Sequence, residues 1–198
     1  MADTLNKFGV PIDGTRAGIL MPKPKHKFRV RFTNFGPLNS HQTVDLSRQV
    51  MTCDRPKVSY NPVTVHSYNS VAYYAGKHEW QAISLSVRDD VTNAVSKLVG
   101  FQIQKQLNHF EQTSPLAGSN YKFTMTYEVM DGGNEGILET WTLEGCFLAD
   151  INYDGGDYAS ADPLMITMQV RYDNATLSEG LFPDVGEIAS NLLDTVGV

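Results

Sequence analysis

The chain has 198 residues, a formal net charge of −6, 41% hydrophobic residues and only 19% charged ones. That length fits one domain with appended arms, and the modest charge with a sizeable apolar fraction argues against an intrinsically disordered chain. The acidic balance argues against a dedicated nucleic-acid binder, which needs a basic face to displace counterions, but suits a wall that DNA passes without sticking.

Residues 1–26 read as an N-terminal arm, punctuated by Gly9, Pro11, Gly14, Gly18, Pro22 and Pro24 and lacking a sustained apolar period. They show no basic region followed by an apolar run, and no stretch of the chain approaches the ~20 apolar residues that span a bilayer. A soluble product made in a cytoplasm is expected. The basic cluster Lys23, Lys25, His26, Lys27, Arg29 and Arg31 reads as a solvated strand edge or an intersubunit salt contact.

From 27 the chain alternates: Phe28, Val30 and Phe32 face one way and Arg29, Arg31 and Thr33 the other, the period of a half-buried strand. A second strand is expected around Val44–Cys53, with Leu46 and Val50 on one face. Residues 57–77, which carry Tyr60, Tyr68, Tyr73 and Tyr74, read as a connection too long for a simple hairpin, and long connections tend to be functional. His78–Arg88 reads as the third strand. The period then changes: Asp89 and Asp90 suit a helix N-terminus, and Val91, Val95, Val99, Ile103 and Leu107 recur every four residues, with Phe110 added. The spacing predicts an amphipathic helix to about Gln112, stopped near Pro115 and Gly118, with Gly100 inside it permitting close packing on a sheet.

Tyr121–Met130 alternates without a break, Tyr121, Phe123, Met125, Tyr127 and Val129 opposing Lys122, Thr124, Thr126 and Glu128. Asp131-Gly132-Gly133 is turn chemistry. Ile137–Leu148 returns, and Leu164–Asp173 is the last strand. Residues 174–198 read as a C-terminal tail with a short helix over 188–196. Three strands, one helix and three strands make an α+β, mostly antiparallel β domain over 27–173.

Residues that carry chemistry are scattered. His26, His41, His66, His78 and His109 never stand at a metal-binding spacing, Cys53 and Cys146 read as free thiols, and no phosphate-cradling glycine motif occurs. Asp150-Ile151-Asn152-Tyr153-Asp154-Gly155 matches the opening of a calcium loop, but Ala161 stands where the bidentate Glu belongs, and a strand-connecting turn accounts for the same residues. Asn174-Ala175-Thr176 matches a glycosylation acceptor without a secretion signal to give it weight. No enzyme, cofactor or metal site is expected.

In the order of these features the chain resembles the tail tube proteins of contractile-tailed bacteriophages of the T4-like, myovirus type. Three stretches carry the resemblance. Lys27–Phe32 leads to Leu46–Cys53 and Pro56. Gly76-x-x-x-Trp80 then precedes an alternating strand and Arg88-Asp89-Asp90 at the helix. After the helix come Tyr121–Val129, Leu143-Glu144-Gly145 and the closing strand Leu164–Tyr172. Together they cover about 23–173. The resemblance implies a β-sandwich or barrel with one packed helix, pooled with its neighbours into a large barrel in a hexameric ring. Such rings stack inside a contractile sheath into a virion tail conduit for DNA, assembled in the host cytoplasm. Self, sheath, baseplate and tail terminator proteins are the implied partners, and DNA passes without specific binding.

On this reading Lys122, Thr124, Thr126 and Glu128, with Thr140, Thr142 and Glu144, line the lumen, because a wall strand is polar on one side and apolar on the other. The tyrosines Tyr60, Tyr68, Tyr73 and Tyr74 stack one ring on the next, since Tyr offers large contact area at modest entropic cost. The long arm and tail leave room for a tube initiator or terminator or a subunit like that of type VI secretion. The competing classes are a monomeric ligand-binding β-sandwich and a small enzyme on a β-barrel.

Overall fold

The computed structural model describes residues 23–37, 46–131 and 136–179. The arm before 23, His41, the glycines of the 131–133 turn and the helix expected at 188–196 lie outside these residues.

Among the described residues nine strands and one long helix follow in order, besides a helical turn at 46–49 and a 3-10 turn at Gly118–Asn120: β1 (Phe28–Thr33), β2 (Val50–Cys53), β3 (Val58–Ser67), β4 (Ser70–Trp80), β5 (Ile83–Arg88), α1 (Ala94–Gln106), β6 (Phe123–Met130), β7 (Ile137–Tyr153), β8 (Met165–Arg171) and β9 (Asn174–Glu179). Every named strand pairing is antiparallel. The main path runs β1-β6-β7-β8-β5-β2, with β9 joined to β7. Seventeen-residue β7 belongs to both halves of this path. Its first part lies between β6 and β9, and its second part pairs β8. The path therefore folds into two layers, and β1 and β2 remain its unpaired ends, so the sheet is an open sandwich and not a closed barrel.

The bend in β7 has a local cause. Gly145 sits at φ +67, a left-handed conformation that L side chains avoid, and a Cβ there would stand 2.2 Å from Asp173 Oδ2. Before it Glu139 and Leu143 point inward; after it the inward residues are Cys146 and Leu148, so the glycine shifts the strand's parity by one. The core fills the gap between layers with Val30, Phe32, Met125, Tyr127 and Leu143 from one side and Ile83, Leu85, Val87, Ile166, Met168 and Val170 from the other.

Helix α1 caps this core with Val95, Leu98 and Val99. Two glutamines on it replace missing backbone partners. Gln102 is fully buried, accepts the Gly36 N–H at 3.0 Å and donates to the Tyr121 carbonyl at 2.7 Å. The Gln106 side-chain amide bonds both the N–H and the carbonyl of Leu148, as a neighbouring strand would.

Several sequence expectations change. The stretch 46–49 is a helical turn, not strand, with only Val50–Cys53 extended; Leu46 and Val50 are four apart, which one helix face also satisfies. Residues 58–80 are a hairpin after all, its strands joined by a two-residue turn at 68–69. The third expected strand is split, because His78–Trp80 ends the hairpin and Ile83–Arg88 joins the main sheet. The helix is shorter than its apolar period. Asp90 Oδ1 does accept the Ala94 N–H at 2.9 Å, but Val91 and Phe110 lie outside the helix and are exposed. Asn108 ends it: its side-chain oxygen takes the N–H groups of Phe110 and Glu111 in a local turn. Nothing lies within 4 Å of where a Gly100 Cβ would stand, so that glycine does not permit close packing. Finally, the tail contributes β9, an alternating strand whose Ala175 is buried.

Candidate assembly interface

Two surfaces built by this fold lack an intramolecular explanation. The first is the outer face of β1-β6-β7-β9. In register, Arg29 faces Glu128, Arg31 faces Thr126 and Thr33 faces Thr124. Across the next pair Glu128 faces Thr140 and Thr126 faces Thr142. Across the last, Thr140 faces Ser178, Thr142 faces Thr176 and Glu144 faces Asn174. Directly paired residues share a face, so Thr124, Thr126, Glu128, Thr140, Thr142 and Glu144 stand together on one polar surface. Lys122 lies just before β6 and bonds Asp173 at 2.5 Å. Sequence reasoning missed the contributions of Arg29 and Arg31, placed in a basic cluster, of Thr33, placed on the same strand face, and of Asn174, Thr176 and Ser178, placed in a tail. The period-two signal of β9 was present in Asn174–Ser178, with Ala175 and Leu177 alternating.

Charge on this surface is matched within the chain. The Glu128 side chain is only 6% exposed and accepts Arg29 Nε at 2.5 Å, with Arg31 Nε at 3.4 Å. A buried carboxylate persists there because two guanidinium groups cover and neutralise it. Lys23, Arg29 and Arg31 of the basic cluster therefore make ion pairs within the chain, Lys27 donates to the Asp131 carbonyl at 2.6 Å, and Lys25 and His26 stand exposed. Lys23 joins a second cluster at the inner edge: Glu139 accepts Lys23 Nζ at 3.0 Å, Arg55, and Trp141 Nε1 at 2.6 Å. Burial pushes the Glu139 carboxyl up, but the Trp141 hydrogen bond, the Lys23 hydrogen bond and the Arg55 charge outweigh it and hold its pKa below the ordinary value.

The second surface is the β3–β4 hairpin, a separate two-stranded sheet. Trp80 at its root packs on the core and stands 5.7 Å from the Tyr172 ring. Beyond the root both faces are bare. Tyr73 stands opposite Thr64 and Tyr74 opposite Val63, so the two tyrosines point to opposite faces. Tyr60 pairs with His78 nearer the root, and the tip residue Tyr68 is fully exposed. Val63, Val65 and Val71 are exposed among them. The four tyrosines thus do not form one patch; they are spread over both faces and the tip of an arm.

Elsewhere the structure assembles no reacting groups. Burial pushes the Cys53 and Cys146 thiols up to about 12, and both cysteines are free. Asp150 and Asn152 lie on the extended strand β7, which separates them instead of curling them around an ion. Among the described residues no three His, Cys, Asp or Glu side chains gather to hold a metal. No helix among them is long and apolar enough to cross a membrane.

No protein-family model matches the chain, and no curated protein matches its sequence. Solved structures do. A chain in the cryo-EM structure of the anti-feeding prophage baseplate aligns with a TM-score of 0.60 and 15% identity, covering 83% of this chain and 100% of that one. A chain in the anti-feeding prophage cap, described as tube-terminating, also aligns with a TM-score of 0.60, at 13% identity over 85% of this chain and 99% of that one. A chain in the extended sheath–tube complex of the extracellular contractile injection system PVC gives a TM-score of 0.53 and 16% identity over 90% of this chain and 99% of that one. The mostly antiparallel β fold of this protein is a fold found in contractile injection systems, the architecture its resemblance to contractile-tail tube proteins implies.

Proposed function

We propose that this protein is a structural subunit, not an enzyme, that assembles with copies of itself into rings forming the inner tube of a contractile tail. The observation that carries this reading is the bare β3–β4 hairpin. A lone two-stranded ribbon is at best marginally stable in water, and this one exposes tyrosines and valines on both faces. Another copy of the chain is the partner that covers it in every subunit of a stack. Tyr60, Tyr68, Tyr73 and Tyr74 then make the contacts between rings.

The polar face of β1-β6-β7-β9 is the second support. The outer edges of β1 and β9 pair with no other strand among the described residues, so neighbouring copies can continue the sheet into a pooled, hexameric barrel. Thr124, Thr126, Glu128, Thr140, Thr142 and Glu144, with Lys122 at the margin, then line the lumen. Glu128 and Lys122 are met by ion pairs within the chain, Glu144 adds an exposed carboxylate, and the net charge of −6 offers phosphate no general attraction. This is the surface a phage tail conduit needs if DNA is to pass without binding. Sheath, baseplate and terminator proteins follow as partners, and a virion tail as the location. The chain divides accordingly into an arm at 1–26, the tube domain at 27–173 and a tail from 174 whose first strand completes the sheet. A tube-capping role is the second reading, supported by the likeness to a chain of the tube-terminating cap.

Negative-stain electron microscopy with light scattering over a concentration series tests this. Hollow tubes of uniform diameter are expected; single rings that never stack assign the capping role. A protein that remains monomeric at millimolar concentration overturns self-assembly and favours a ligand-binding sandwich.

A further inference from the structure

Strands β1 and β2 end the main sheet without pairing to each other, and an open groove of about 910 Å³ lies between them. Phe28, Val30, Val50 and Met51 make its wall apolar, and Met51 is exposed there. Lys23, Lys25, Lys27 and Arg55 make its rim cationic, with Asp54 the one carboxylate among the described lining residues. Lys23 and Arg55 are drawn to Glu139 and Lys27 donates to the Asp131 carbonyl, whereas Lys25 and His26 stand exposed.

The opposite chemistry lies elsewhere on the same chain. Eight of the sixteen Lys and Arg residues fall between 23 and 57, and none occurs from 123 to 170. Within that second stretch the loop joining β7 to β8 carries Asp154, Asp157 and Asp162 around Tyr158, all four exposed. Among the described residues no Lys or Arg pairs with these carboxylates. Local bonds give the loop its shape. Asp157 Oδ1 accepts the Ala159 N–H at 2.9 Å, Ser160 Oγ accepts the Asp162 N–H at 3.1 Å, and the Asp154 N–H donates to the Met165 carbonyl at 3.0 Å. An aromatic knob ringed by carboxylates complements a groove that is apolar inside and cationic at its rim, and a loop already in shape loses little entropy on docking.

β7 and β8 are the middle pair of the path whose two ends flank the groove, so the loop stands across the fold from its own groove. Another copy has to supply it. A contact between two different patches is head-to-tail, the kind that closes into rings or runs into filaments. We infer that the 154–162 loop of one copy docks in the β1–β2 groove of the next. Tyr158 lies on Phe28, Val50 and Met51, and the aspartates face Lys25, Lys27 and the other cations of the rim. Docking at 23–27 and on β2 leaves the backbone edge of Phe28–Thr33 open to a neighbouring β9. Such docking presupposes that copies of the chain assemble, as proposed above, and adds which surfaces meet.

Zero-length carbodiimide coupling of full-length protein, assembled from an equimolar mixture of 15N-labelled and unlabelled copies and then peptide-mapped, tests the contact. Links from Asp154, Asp157 or Asp162 to Lys23, Lys25 or Lys27 are expected, with labelled and unlabelled peptides joined at random. Two charge-reversed variants give a second readout and spare Asp157, which holds the loop's shape. K25E/K27E reverses the rim and D154K/D162K reverses the loop. Each alone should need about tenfold more protein to assemble, the effect of losing two exposed ion pairs and setting like charges together. Their equimolar mixture should assemble at a lower concentration than either, because each supplies the surface that the other lacks; damage to the fold would not be repaired by mixing. Wild-type assemblies without loop-to-rim links, links confined to a single chain, or variants that assemble at the wild-type concentration would overturn this contact and leave self-assembly standing. A wild type that stays monomeric at millimolar concentration overturns both.

Discussion

At Gln102 a polar side chain with no exposure holds two backbone groups that would otherwise be orphaned in the core, the Gly36 N–H and the Tyr121 carbonyl. Replacing it with Leu keeps the volume but leaves both groups unpaired. Gln102→Leu is therefore expected to lower stability by about 2–4 kcal/mol, read by urea denaturation. The sequence marked this residue as polar on an otherwise apolar helix face, with no local sign that it was the partner of two distant loops. Glu139 is the other residue whose role depends on its surroundings. Its pKa is depressed in the folded state, so its contribution is present above the unfolded value and lost as pH falls through the folded one. Denaturation of wild type and Glu139→Gln between about pH 7 and about pH 3 should show a gap that closes in the acid range, below the ordinary carboxylate value.

Among the elements, α1 carries a position where the protein is less stable than it could be. Gly100 lies in mid-helix, and a Cβ there meets open space. Gly100→Ala is expected to stabilise the protein by about 1 kcal/mol, the difference in helix propensity, seen as a raised denaturation midpoint with an unchanged slope. The hairpin presents the opposite case, an element whose exposed side chains contribute little to the monomer. Tyr60→Ser with Tyr74→Ser should leave the monomer's thermal midpoint nearly unchanged. The same pair should raise the concentration needed for assembly about tenfold or more, the cost of removing aromatic anchors. A fall in monomer stability with unchanged assembly, by light scattering and calorimetry, would argue that the tyrosines serve the hairpin itself.

For the whole molecule, the consequential fact is that the polar surface is shared by four strands drawn from both ends of the chain. If it faces a lumen, Thr124→Cys in assembled tubes should react with small maleimides and be protected at least tenfold from reagents too bulky to enter, judged on the ordinary exponential scale of access free energies. Equal labelling by bulky reagents on intact tubes would place the surface outside. Cys53 and Cys146 add little background labelling, since burial pushes both thiols up to about 12.

Period and turn chemistry determined much of this without coordinates. The alternation in Phe28–Thr33, Phe123–Met130 and Met165–Arg171 specified strands and their inner faces, because a one-residue slip would invert every side chain. That Thr124, Thr126 and Glu128 share one face of β6, and Thr140, Thr142 and Glu144 one face of β7, was legible for the same reason. What the tertiary structure alone decided concerns partners far apart in sequence. The ion pairs that quiet the basic cluster, the pairing of β9 with β7, the parity shift at Gly145 and the isolation of the hairpin all depend on which strand lies beside which. Local sequence sets which way a side chain points relative to its own strand. It does not set what stands opposite, because that is fixed by long-range packing of layers, and the two faces of an exposed ribbon look the same in sequence as those of a buried one.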